Sequence, residues 1–245
     1  MEERTRIYFA SDFHLGSPNQ AESIIREKKI CDWLSSIEKY AKEIYLVGDV
    51  FDFWFEYKTS IPKGFERFKG KLCQLTNDGV KIHFFPGNHD LWTFGYLEKE
   101  LGLIVHRKPL ITSIDGKMFY ITHGDGLGPG NLKYKILKSI FKSPIAQWLF
   151  SKIHPDWGIQ LAHLWSRKSR KQGGQVNKEK LKDDLILYSR KILTNTDINY
   201  FIFGHIHDPI DVELTPTAKY INIGDWITHF SFLEFHNRTL LFKYF

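Results

Sequence analysis

Apolar residues along this chain gather into short runs at 6–10, 43–47, 80–85, 118–122 and 200–203, each with the length and the branched or aromatic content of a buried strand. Helical periodicity lies between them. Ile30, Trp33, Leu34 and Ile37 share one face at the 3.6-residue period, and Leu181, Leu185, Tyr188 and Ile192 repeat the pattern later. Strands alternating with helices predict an α/β architecture around a largely parallel sheet. The last runs, 220–223, 227–235 and 239–245, are consecutive and joined by short turns such as Asn237-Arg238, so an antiparallel portion closes the fold.

The stretch 131–171 breaks this alternation. It has no strand signal and reads as short helices interrupted at Ser143-Pro144, His154-Pro155 and Gly158. Its apolar residues are large, among them Leu132, Ile136, Phe141, Trp148, Leu149, Phe150, Trp157, Leu164 and Trp165. It also holds nine Lys or Arg against one acid, Asp156, whereas the whole chain of 245 residues is only +6, so the basic character is local. The segment 171–175 then looks like a flexible exit. Residues 1–130 and 176–245 are therefore expected to form one core domain, with 131–175 a helical lid inserted in it.

Composition narrows the class. The length suits one sizeable domain with a substantial core. Cys31 and Cys73 fall in helical stretches outside any Cys-x-x-Cys pair, and are expected to be small buried hydrophobes rather than a disulfide. Residues 1–6 are charged and lack a signal-peptide pattern. No run approaches the roughly 18 apolar residues of a spanning helix. A cytoplasmic protein with an anionic partner is expected.

The chemistry lies immediately after the five strand runs: Asp12-Phe13-His14, Gly48-Asp49-Val50-Phe51-Asp52, Gly87-Asn88-His89-Asp90, His123-Gly124-Asp125 and Gly204-His205-Ile206-His207. In α/β sheets ligands bind at the carboxyl ends of strands, so motifs scattered in sequence converge there. Any one of these motifs occurs by chance, and a lone histidine is usually a surface or core residue; five in order are not. Two carboxylates, one amide and four imidazoles suit divalent metals that accept nitrogen and oxygen. Seven ligands exceed one open catalytic site and match two ions sharing a carboxylate, roughly 3.5–4 Å apart, which activate water and clamp phosphoryl oxygens. The glycines before Asp49, Asn88 and His205 are expected to allow tight turns.

These ordered motifs resemble the signature of the calcineurin-like metallophosphoesterases. The resemblance implies a sandwich of mixed β-sheets flanked by helices, with a helical lid. It implies one ion on Asp12, His14, Asp49 and His207 and another on Asn88, His123, His205 and the shared Asp49, with manganese the expected metal. His89 would face the phosphoryl group as a cation or proton donor. Asp52 would hold and polarise it, since an acidic partner orients a histidine and raises its pKa.

Within that superfamily, Gly48-Asp49-Val50-Phe51-Asp52-Phe53-Trp54, His123-Gly124-Asp125-Gly126-Leu127 and the insertion after them look most like the UDP-2,3-diacylglucosamine pyrophosphohydrolases of lipid A synthesis. That likeness implies hydrolysis of an acylated UDP-sugar to UMP and the acylated sugar 1-phosphate. It implies a monomer peripheral on the inner face of the cell membrane, bound to an anionic lipid surface and to no nucleic acid. Asn131, Tyr134, Ser166, Lys168, Ser169 and Lys171 of the lid are the candidate substrate contacts. Two readings of the lid stay open: its apolar residues line an acyl groove or are the core of packed helices, and its charges meet phosphate or merely solvent. The chain departs from the common pattern in carrying Asn88-His89-Asp90 with Asp52, where Asn-Arg-Asp with a glutamate partner is usual; a shorter acid suits a histidine. Asn222-Ile223-Gly224-Asp225-Trp226 resembles divergent members, with Asp225 read mainly as a turn residue and a supporting contact to the His205–His207 loop as the alternative. A phosphodiesterase or nucleotide hydrolase with another substrate is the alternative, and a non-catalytic metal-binding scaffold the remoter one.

Overall fold

In the computed structural model, which describes residues 4–130, 132–162, 164 and 178–245, strand β1 (Arg6–Ala10) divides its apolar run between two cores. Ile7 and Phe9 turn into one, Tyr8 and Ala10 into the other. Successive strand side chains point to opposite faces, so a strand covered on both sides is apolar throughout. The same division recurs in β2 (Ala41–Val47), with Tyr45 and Val47 beside Phe9 and with Ile44 and Leu46 beside Tyr8, and again in β3 (Lys81–Phe85).

These strands belong to a six-stranded sheet of order β11-β10-β1-β2-β3-β4. β1 to β3 and the short β4 (Ile104–Val105) are parallel, while β10 (Ser231–His236) and β11 (Thr239–Tyr244) run antiparallel at the other edge. A second sheet has the order β5-β6-β7-β9-β8. Its centre, β6 (Lys117–Ile121), β7 (Tyr200–Phe203) and β9 (Ala218–Ile223), is parallel, and its edges, β5 (Leu110–Ile114) and β8 (Pro209–Thr215), are antiparallel. The sheets pack face to face through Phe9, Phe119 and Phe235, with ring centroids 5.7 Å apart for Phe9–Phe119 and 5.1 Å for Phe119–Phe235. On the outer face of the first sheet lie α1 (Gln20–Ile37), α2 (Glu66–Asn77) and α3 (Tyr96–Leu101). Asn19 starts α1 as a cap, its side chain accepting from the Glu22 N–H at 3.0 Å. Between the sheets' chain segments come α4 (Leu132–Lys142) and α5 (Pro144–Ser151), and α6 (Lys178–Leu193) then covers the second sheet with Leu181, Leu185, Tyr188 and Ile192.

The architecture is thus α/β with two mixed sheets flanked by helices. This is the sandwich of mixed sheets that the resemblance implies; the strand–helix alternation by itself suggests one largely parallel sheet, and there are two because β6, β7 and β9 bury against α6 what β1 to β3 bury against α1 and α2. The run 227–235 becomes a strand only from Ser231; the residues before it turn around Asp225, whose carboxylate accepts the Thr228 and His229 N–H groups at 2.9 Å each. β5 and β8 are edge strands whose exposure alternates and whose polar residues break the apolar run, so apolar runs alone do not mark them. Cys31 and Cys73 are free and half-buried rather than fully buried.

Neither α4 nor α5 buries a residue. Trp148 is 58% exposed, Trp157 71% and Leu164 63%, so these are not a packed helical core. What anchors the segment is narrower. Phe150 inserts its ring among Phe53, Phe55 and Trp92, at centroid distances of 6.1, 4.8 and 4.7 Å. Trp92 donates its indole N–H to the Phe141 carbonyl at 2.8 Å. No described helix is long and apolar enough to cross a membrane.

Candidate metal centre

Asp12, Asp49 and Asn88 lie just past the carboxyl ends of β1, β2 and β3, and His123 and His205 just past those of β6 and β7. Because these strands are parallel within each sheet, each sheet delivers its loops to one edge, and the His205 N–H donating to the Asp12 carboxylate at 3.0 Å shows that the two edges coincide. The first two loops continue the ladder between β1 and β2: Asp12 N–H donates to Gly48 O at 3.0 Å and His14 N–H to Asp49 O at 2.9 Å. Ten described non-glycine residues have left-handed backbones, and five are predicted ligands: Asp12 (φ 56°), His14 (44°), Asp49 (51°), His205 (73°) and His207 (63°). Such conformations cost energy and persist where the surroundings over-determine them, commonly at active sites.

The glycines before the ligands serve space more than turning. Only Gly48 needs its own left-handed backbone, at φ 87°. A Cβ there would strike the His123 ring, one at Gly87 the Asp49 carboxylate, and one at Gly204 the Asp12 carboxylate. Each glycine admits a ligand from another loop.

Asp12, His14, Asp49 and His207 offer ligand atoms within 4.8 Å of one another, as do Asp49, His123 and His205, so Asp49 is common to both groups. His207 Nε2 is 3.2 Å from Asp12 Oδ1, His14 Nε2 3.7 Å from Asp49 Oδ2, and His123 Nε2 3.3 Å from the same Asp49 oxygen. His123 donates its Nδ1 proton to Val47 O at 2.9 Å, so once the ring gives up its second proton Nε2 is the bare nitrogen. That nitrogen and the Asn88 side-chain oxygen are both buried without a hydrogen-bond partner. Buried polar atoms are ordinarily satisfied; a carbonyl oxygen and a bare imidazole nitrogen are donors a divalent cation accepts. The residues present therefore fit two ions sharing Asp49.

The charges agree. Burial opposes ionisation of Asp12 and Asp49, but His207 beside the first and His123 beside the second hold both carboxyls well below the usual carboxylate range. Against burial, Asp49 draws His123 up to about 10 and Asp12 draws His207 up to about 10. Burial, with His123 adding to it, pushes His205 down to about 4. The cluster keeps its carboxylates ionised and collects positive charge, and a divalent ion competes with those protons for the same nitrogens.

His89 and Asp52 meet differently from the expectation. The His89 Nδ1 proton goes to the backbone carbonyl of Asp52 at 2.9 Å. The Asp52 carboxylate lies 3.8 Å from that nitrogen and closer, 3.4 Å, to Nδ1 of His14. Burial lowers the His89 pKa, although Asp49 and Asp52 pull it upward, so the expected rise is corrected to a fall. Tyr134, expected to meet substrate, donates its hydroxyl to Asp125 at 2.8 Å, and Lys138 adds an ion pair to the same carboxylate at 2.6 Å. Asn131, Ser166, Lys168, Ser169 and Lys171 lie outside the described residues.

Several supporting groups escaped the motif reading. The buried Asp90 accepts N–H groups from Val50 (2.7 Å), Phe51 (3.3 Å) and Gly87 (2.7 Å), clamping the loops after β2 and β3 together. Its place in Gly-Asn-His-Asp was a signal that it matters. Arg26 of α1 donates to the carbonyls of Phe13 and His14 at 3.2 Å each, and nothing in the local sequence marks it; Asn222, which opens the Asn222–Trp226 phrase, donates to the Gly204 carbonyl.

Residues 5–209 match the family model of the calcineurin-like phosphoesterases. The chain belongs to that family and is a metal-dependent hydrolase. It is similar over nearly its whole length to proteins named UDP-2,3-diacylglucosamine hydrolase. It is 36% identical to that of Porphyromonas gingivalis, over 98% of this chain and 97% of the relative. With that of Aliivibrio fischeri the identity is 27%, over 95% of each chain.

Proposed function

We propose that the chain hydrolyses the pyrophosphate of UDP-2,3-diacylglucosamine to UMP and 2,3-diacylglucosamine 1-phosphate. The observation that carries this reading is the junction of two ligand groups sharing Asp49 with an exposed apolar and basic helical segment, tied to the site's edge through Asp125. The names of the relatives support the same substrate. Asp12, His14, Asp49 and His207 would hold one divalent ion and Asp49, Asn88, His123 and His205 the other, with manganese the expected metal. Such ions supply an activated water and neutralise phosphoryl oxygens. Asp49 sets the spacing of the two sites. His89, its Nδ1 proton committed to the Asp52 carbonyl, presents Nε2 to the substrate and, when protonated, donates to a phosphoryl or leaving oxygen.

Helices α4 and α5 complete the reading as a lid, with the candidate contacts Asn131, Tyr134, Ser166, Lys168, Ser169 and Lys171 expected along it. A turnover assay with Mn²⁺ tests this. The acylated UDP-sugar should turn over at least about tenfold faster than the bare UDP-sugar or an aryl phosphodiester, since each buried acyl methylene contributes roughly 0.8 kcal/mol. Equal rates would replace the acyl specificity with a nucleotide hydrolase or phosphodiesterase of the same chemistry.

The same segment supports contact with an anionic membrane surface; the reading places the chain there as a monomer on the cytoplasmic face, with no nucleic-acid partner. Trp148 and Trp157 are exposed, and α4 and α5 together with Lys152 carry lysines and no acid. Replacing both tryptophans with serine removes on the order of 1.5–3 kcal/mol of apolar transfer for each. Co-sedimentation with phosphatidylglycerol vesicles should fall at least about tenfold. Unchanged sedimentation would remove the membrane from the proposal.

A further inference from the structure

Asp225 lies two residues past β9, at the edge of the sandwich that carries the ligand cluster, and is 4% exposed. Its two carboxylate oxygens have different surroundings. Oδ1 accepts the Thr228 and His229 N–H groups at 2.9 Å each and is 3.3 Å from His229 Nδ1. Oδ2 is 3.5 Å from Nδ1 of His207, a ring whose Nε2 is 3.2 Å from Asp12. One oxygen shapes the loop and the other addresses a candidate metal ligand.

We propose that Asp225 is a positioning residue of the first ion site: it holds the His207 ring with its proton on Nδ1 and its lone pair on Nε2, and His229 backs it from the surface side. The inference rests on the metal-centre reading above. A ligating imidazole must present a bare nitrogen, and a carboxylate on the opposite nitrogen fixes that tautomer and makes the ligand a stronger donor. The other histidines allow a comparison. His14 has the Asp52 carboxylate 3.4 Å from its Nδ1, whereas His123 has the neutral Val47 carbonyl at 2.9 Å. Both histidines of the first site are thus backed by carboxylates, and His123 of the second is not. The chain makes its two sites unequal through residues that touch no ion, and the first site is the tighter.

Asp225→Asn separates the two tasks. Its amide oxygen can still accept the Thr228 and His229 N–H groups, while its amide nitrogen would meet the His207 Nδ1 proton donor to donor. Mn²⁺ titration of the metal-free protein by calorimetry should show two classes of site in the wild type. In Asp225→Asn the tighter class should weaken about 10- to 100-fold, the range typical of such supporting partners, with the other class unmoved. His229→Ala should weaken the same class less. In a His207→Ala background, adding Asp225→Asn should change nothing further, as expected of residues acting through one contact. An unchanged melting temperature of the metal-free Asp225→Asn protein would show that the loop is intact. Wild-type affinity for both ions in that variant would overturn the inference, as would equal weakening of both or an additive effect in the His207→Ala background. A wild-type protein that binds no pair of ions would remove the metal-centre reading and this inference with it.

Discussion

Asp49→Asn is expected to abolish turnover, with a fall of at least about 10²–10⁴ in rate. The carboxylate belongs to both ligand groups and faces His14 and His123. Metal ions contribute several kcal/mol of charge stabilisation to a phosphoryl transition state, and each 1.4 kcal/mol of barrier is roughly a tenfold change in rate. Asparagine keeps the shape and an oxygen able to accept the His89 N–H, which Asp49 now accepts at 2.9 Å, so the loss would report charge rather than collapse of the loop. Both metal stoichiometry and activity should drop together. Near-normal turnover in metal-replete buffer would reject the shared carboxylate.

His89→Ala should separate those two readouts. Turnover should slow by about 10²–10⁴, the usual worth of a positioned proton donor, while elemental analysis finds the metal content of the wild type. The ring is placed for this by a backbone carbonyl, so the neutral form has its proton on Nδ1 and a bare Nε2. Only the protonated ring donates toward substrate. Its contribution to kcat/KM therefore fades as pH rises through the His89 pKa, which burial sets below the ordinary histidine value. The variant should lack that limb of the pH profile. If metal content falls with activity, His89 is a ligand and the donor role is wrong.

The membrane-facing and acyl-binding readings depend on a different kind of observation. Periodic tryptophans and leucines are as consistent with helix packing as with a lipid groove, because a side chain's type does not say what covers it. Trp148, Leu149 and Leu164 are more than half exposed, and only that fact separates the two readings. Tyr134 shows the converse. Its position marks it as a candidate substrate contact, and only the fold shows that its hydroxyl proton goes to Asp125, which fastens α4 beside His123.

By itself the sequence determined the strands of the double-sided core and the seven residues at their ends. Both are local: an apolar run of strand length is legible wherever both faces are covered, and polar residues that interrupt the chain at each strand end stand out against it. The chain order could not say that β6, β7 and β9 leave the first sheet to build a second, since sheet membership is a matter of partners distant in sequence. Nor could it place the contacts around the candidate ligands. Asp225 reads as a turn residue because it is one; that its other oxygen reaches His207, and that the Asp52 carboxylate lies nearer His14 than His89, are distances between loops of different strands. The identity of the candidate ligands is written locally, while their geometry and protonation are decided by what the fold sets beside them.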